Sequence, residues 1–93
     1  MERYQLKFRL ENIPGVSTMY AGQTDAYSPT DAGKALEATL KARITAANYR
    51  NLAEASIVDS EGKECAVLQI RKDGNTKTYQ PVWGSWLKVF GKT

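Results

Sequence analysis

The chain contains no histidine and only one cysteine in 93 residues. Lack of histidine removes the commonest general base, the usual metal ligand and every Ser-His or Cys-His dyad. One cysteine permits no intramolecular disulfide. That residue, Cys65, sits in the apolar stretch "CAVL", where a small buried hydrophobe is expected rather than a nucleophile. The acidic residues are spread over the chain with no spacing resembling a calcium loop. Neither a metal site nor a cofactor is expected, and the chemistry reads as non-enzymatic. Long hydrophobic runs are also missing. None approaches the about 20 residues of a membrane helix, and "MERYQLKFRLEN" has no signal-peptide core. The expectation is a cytoplasmic protein without a membrane partner. The closing "GKT" fails as a phosphate loop, because Trp86 stands where the pattern requires its first glycine.

What is present reads as one α+β domain over residues 1–93, with no repeat, linker or low-complexity tract. "RYQLKFRLEN" alternates: Tyr4, Leu6, Phe8 and Leu10 point one way, Arg3, Gln5, Lys7 and Arg9 the other. "NIPG" turns the chain, and "VSTMYAGQTDA" favours a second strand that Gly22 ends or bulges. "SPTDAGKALEATLKARITAA" predicts a helix. Ser28 can cap it, Pro29 suits its first position and Asp31 complements the dipole. Ala32, Leu36, Leu40 and Ile44, joined by Ala35, Thr39 and Ala47, make an apolar face, while Glu37 and Lys41 pair on the wet side. "NYRN" breaks this pattern. "AEASIVD" and "KECAVLQIRK" then flank a tight turn at Gly62, "KDGN" turns again, and "TKTYQPVW" extends, with Pro81 ending that strand or confining it to an edge. The predicted architecture is a single antiparallel sheet of four to five strands in the order β-β-α-β-β-β. One amphipathic helix packs on one face, with Leu36, Leu40 and Ile44 against Leu6, Phe8 and Val67.

Two surfaces are candidates for a partner. The first is basic: Arg3, Lys7 and Arg9 on the polar side of the first strand, and Arg71, Lys72 and Lys77 around the later turn. Residues 53–65, by contrast, carry Glu54, Asp59, Glu61 and Glu64 against Lys63. Such asymmetry fits a partner bearing phosphates or carboxylates. A basic sheet face is one way small modules track a nucleic-acid backbone, although no RNP-like aromatic pair or GXXG loop is present. The second surface is the tail "PVWGSWLKVF". Trp83, Trp86, Leu87 and Phe90 have helical spacing, though Gly84 leaves a strand-like or irregular tail open. Each ring buries roughly 150–250 Å² when packed, so a tail sealing the sheet competes with an exposed hot spot. Trp83, beside Pro81, reads as the more buried of the pair and Trp86 as the partner-facing one.

In its opening strand "RYQLKFRLEN", single helix "SPTDAGKALEATLKARI" and hairpin "AEASIVDSEGKECAVLQI", the chain resembles the small phage-encoded anti-CRISPR proteins, particularly those directed at type I-F complexes. The likeness is architectural and spans most of the chain. It implies a stoichiometric inhibitor that occupies a Cas subunit, or the guide-RNA and target-DNA channel of the surveillance ribonucleoprotein, and blocks target recognition. The alternative is a small nucleic-acid-binding protein of phage or bacterial origin. Either would act in the cytoplasm, of the host cell if phage-encoded, as a monomer or weak dimer.

Overall fold

The alternating opening becomes a nine-residue strand, β1 (Glu2–Leu10), in a computed structural model that describes residues 1–11, 18–44 and 49–89. Tyr4, Leu6, Phe8 and Leu10 are all buried, as the period of two requires. Strand β2 (Thr18–Ala26) runs back antiparallel to β1. The register slips where Leu6 faces Gly22 and Lys7 faces Tyr20, so Ala21 is the extra residue of a bulge. Gly22 there has φ 146°, which explains a glycine inside a strand. The "NIPG" turn lies outside the described residues.

Helix α1 (Pro29–Arg43) starts as expected: the Ser28 hydroxyl accepts from the Asp31 amide at 3.2 Å, with Pro29 in the first turn. Ala32, Leu36, Leu40 and Ile44 are buried. Ala35 and Thr39 are not; Gly33 joins the buried face in their place, and Ala47 lies outside the described residues. A 3₁₀ turn (Tyr49–Asn51) leads into β3 (Leu52–Val58), followed by β4 (Glu64–Asp73) and β5 (Thr78–Lys88). Gly62, at φ 81°, makes the tight turn between β3 and β4. The five strands form one antiparallel sheet in the order β2-β1-β3-β4-β5. Helix α1 therefore connects β2 to β3 across β1 and covers one face of the sheet. Its apolar stripe meets Leu6, Phe8, Ala55, Ile57, Ala66 and Leu68 in one core.

Val67 is not part of that interface. Adjacent residues of a strand point to opposite faces, and Ala66 and Leu68 occupy the helix side. Val67 lies in a row across the uncovered face: Tyr20, Lys7, Ser56, Val67, Leu87.

The tail is a strand, so the helical spacing of its rings is not realised. β5 runs through Pro81, which is tolerated because β5 is an edge strand. Trp86 and Leu87 consequently face opposite ways: Trp86 is 6% exposed and Leu87 50%. This reverses the expected order of the two tryptophans, since Trp83 is only half-buried. The cause is a long irregularity in β5. Leu68 pairs with Trp86 but Ile70 with Pro81, which leaves 82–85 bulged out, with Gly84 at φ 84°. Freed from the ladder, the Gly84 amide donates to Glu37 Oε1 at 2.6 Å. The same oxygen accepts from Trp86 Nε1 at 3.1 Å, and the indole ring lies against Gly33. Glu37 still meets Lys41 at 3.8 Å, and Lys41 Nζ stands 4.9 Å from the centroid of the Trp83 ring. Glu37 is thus the tie between helix and edge strand, not a purely solvent-facing residue. Phe90 lies outside the described residues.

Candidate functional site: a cationic cleft beside the hairpin arm

Past Val67, β4 pairs with β5 alone, so Leu68–Asp73 and Thr78–Trp86 form a two-stranded arm. β5 also packs against the 3₁₀ turn. Between them lies a cleft of about 370 Å³ lined by Tyr49, Arg50, Arg71, Lys72, Asp73 and, from β5 and the turn before it, Thr76, Thr78, Tyr79 and Gln80. Three cations face one carboxylate. Asp73 is partly engaged, because its Oδ1 accepts from the amides of Asn75 at 2.9 Å and Thr76 at 3.4 Å, shaping the 74–77 turn.

The two rings are held in place. Tyr79 donates its hydroxyl to Glu11 Oε1 at 2.5 Å, and Arg9 Nη1 donates to Glu11 Oε2 at 2.9 Å. The tyrosine hydroxyl, with the guanidinium second, holds the Glu11 carboxyl below its ordinary range, and Glu11 in turn raises the Tyr79 phenol. Tyr49 accepts from Arg50 Nε at 3.1 Å, with the Arg50 guanidinium carbon 5.6 Å from the ring centroid. Lys72 Nζ is similarly 5.7 Å from the centroid of Tyr79. Both contacts are within the range of cation–ring attraction.

The expected basic surface divides under this geometry. Arg71 and Lys72 line the cleft, and Lys77, with φ 55°, sits in the turn at the tip of the arm. Arg71, Lys72, Lys77 and Lys7 make no ion pair among the described residues. Arg3 is paired with Asp25 at 3.0 Å, and Arg9 with both Glu54 at 2.7 Å and Glu11 at 2.9 Å. Six residues of strand, about 20 Å, separate Arg3 from Arg9, so Arg3 belongs to the far end of β1. Lys7 is on the uncovered face next to Ser56. Trp86, buried against Gly33, offers almost no surface to a partner. Tyr49, Arg50 and Gln80 were not singled out from the sequence. The aromatic-basic pair "YR" at the break after the helix was the available signal.

At the other end of β1 a second opening, about 400 Å³, has the opposite character: Glu2, Asp59 and Glu64 against Lys63 and Lys88. Asp59 takes the amides of Glu61 and Lys63, each at 2.9 Å, which depresses its carboxyl. Cys65 is half-buried there rather than fully buried. Its thiol donates to the Lys63 carbonyl at 3.3 Å, and burial pushes its pKa up, the reverse of what a nucleophile needs. Tyr4 donates to Glu2 at 2.7 Å and its phenol is pushed up to about 12.

No helix among the described residues is long and apolar enough to cross a membrane. No protein-family model matches the chain, and neither the curated proteins nor the solved structures contain a match to it.

Proposed function

We propose that this is a non-enzymatic binding protein that holds the phosphates of a nucleic acid strand in the cleft between the 3₁₀ turn and the arm. The observation that supports it is that Arg50, Arg71 and Lys72 all line one cleft, Arg71 and Lys72 from opposite faces of the arm, and that Asp73 is the one carboxylate in its lining, with Glu11 near Lys72 behind it. Elsewhere the arginines of the sheet are matched by carboxylates, as Arg3 and Arg9 are. Cations gathered without ion-pair partners repel one another, and an anionic ligand relieves that repulsion. Guanidinium groups meet phosphate oxygens with paired, charge-assisted hydrogen bonds. The strand has two sources. It is either free RNA or DNA, or the RNA or target DNA in the channel of a Cas surveillance complex, a place that the resemblance to the type I-F inhibitors implies. In the second case binding blocks target recognition.

Fluorescence anisotropy with short labelled RNA and DNA, titrated against salt, tests the shared chemistry. Three neutralised phosphates give a log–log salt slope of about −2 on a single strand. Arg71→Glu with Lys72→Glu should abolish binding with little change in thermal stability, since exposed charges contribute little to folding. Absence of binding at low salt, or full binding by the double variant, overturns the reading. Capture of a purified surveillance complex, lost in the same variant, assigns the strand to the ribonucleoprotein; capture that survives the variant counts against the cleft.

A further inference from the structure

We infer that the cleft takes one unstacked base, and that the protein therefore selects single-stranded over duplex nucleic acid. This rests on the nucleic-acid reading above and adds the conformation of the strand. Volume comes first. At about 370 Å³ the cleft is in the range of small-ligand sites, roughly 300–1,000 Å³. A nucleotide enters such a space; a base-paired helix does not. The lining comes second. Bases released from a duplex stack on aromatic rings or guanidinium planes, and paired bases are closed to such contact.

The wall nearest the 3₁₀ turn supplies both surfaces at once, with the exposed Arg50 guanidinium set over the Tyr49 ring. Tyr79, half-buried and fixed through Glu11 to Arg9, supplies the second ring. Because these groups are already held by hydrogen bonds, little side-chain freedom is lost when a base arrives. The third element is polarity. Gln80, exposed and paired with Arg71 across the arm on the face opposite Tyr79, lines the rim of the same cleft, and its amide carries a donor and an acceptor suited to a base edge. Lys72, over the Tyr79 ring, then stands beside the base, and Arg71, on the other face of the arm, stands at the rim where the backbone phosphates pass. Arg50 has two roles in this arrangement, charge and plane, and only the first is shared with lysine.

That difference sets the test. Anisotropy is measured for a labelled single-stranded RNA and for the same strand annealed to its complement, with wild type and Arg50→Lys. Wild type should favour the single strand about tenfold, the scale of one stacked base. Arg50→Lys should retain the salt slope while that preference falls toward unity. Tyr49→Leu should do the same, but Tyr49 packs against the core, so the exposed Arg50 variant decides the matter. Equal wild-type affinity for the two forms, with binding still abolished by Arg71→Glu, overturns the one-base cleft and leaves the phosphate reading standing. A single-strand preference untouched in Arg50→Lys also overturns it. No binding to either form removes both.

Discussion

Replacing Gly33 by alanine should destabilise the protein, against the usual direction of that change in a helix. In an ordinary helix position Gly→Ala gains about 1 kcal/mol. Here a Cβ would stand 2.7 Å from Trp86 Cε3 and Cγ, with Cδ2 nearer still. Contacts that short force the ring or the helix to move. The ring has little freedom, because Trp86 Nε1 donates to Glu37 at 3.1 Å and the same carboxylate oxygen holds Gly84 of the bulge. Overpacking a core costs about 1–3 kcal/mol, and weakening one hydrogen bond about 1 kcal/mol more. Less the helix propensity gained, the net loss is about 1–3 kcal/mol. For a domain of this size each kcal/mol lowers Tm by roughly 4–8 °C. Urea unfolding followed by tryptophan fluorescence reads both the stability and the packing of the ring. In a Trp86→Ala background the clash is relieved, because every ring atom that would meet the new Cβ is gone, and Gly33→Ala should then become stabilising by up to about 1 kcal/mol. A raised urea midpoint for Gly33→Ala in the wild-type background would refute the reasoning, because no ring would then be pressed on the helix.

Leu40, fully buried at the centre of the helix stripe, should lose about 2–5 kcal/mol on truncation to alanine, measured by the same urea curves. Lys77→Gly should stabilise by about 0.5–1 kcal/mol, because φ 55° strains a lysine and suits glycine; an unchanged midpoint would contradict that. Glu11 has a depressed carboxyl, so its contribution is complete above its ordinary value of 4.5 and is lost as pH falls through the lower folded value. Glu11→Gln should flatten that part of an acid titration of Tm. Arg9→Glu should lower stability by setting a third carboxylate beside Glu11 and Glu54, while Lys72→Glu should leave Tm nearly unchanged and lose nucleic-acid binding. The opposite assignment of the two effects, read by calorimetry and anisotropy, would place Arg9 in the binding site.

The fold was legible where a local pattern coincided with a local cause. Period two in "RYQLKFRL" needs only one covered face, and the four-residue stripe of α1 needs only something to cover; among the described residues both hold except at Ala35 and Thr39. Their replacement on the buried side is Gly33, which looks like a weak point in a helix until the ring that rests on it is known. That ring arrives from β5, long after the helix in sequence. The same distance hid the role of Glu37, whose spacing to Lys41 gave a solvent pair and whose principal partners, Gly84 and Trp86, depend on where a bulge in β5 falls. Val67 was misplaced for a related reason. An apolar residue in an apolar run carries no sign of which face it takes until a neighbour's register is fixed.

The candidate site illustrates a limit of reading charge from sequence. Counting cations grouped Arg3, Lys7 and Arg9 with Arg71, Lys72 and Lys77, yet charge counts do not show which cations are already neutralised. Pairing is decided across strands: Arg3 opposite Asp25 on β2, and Arg9 opposite Glu54 on β3. Glu54 reads in sequence as part of the acidic 53–65 segment and Asp25 carries no signal of its own, because cross-strand register is not available from spacing alone. Arg50 is the converse case. As a single basic residue in the break "NYRN" it had no patch of its own, and it gains one only because β5 of the arm packs beside the 3₁₀ turn. A charge acquires a binding role here by making no ion pair and by having a ring beneath it, and both conditions are set by tertiary structure. The cations that satisfy the first condition in the cleft, Arg50, Arg71 and Lys72, come from two segments joined by β3, and two of the three also satisfy the second.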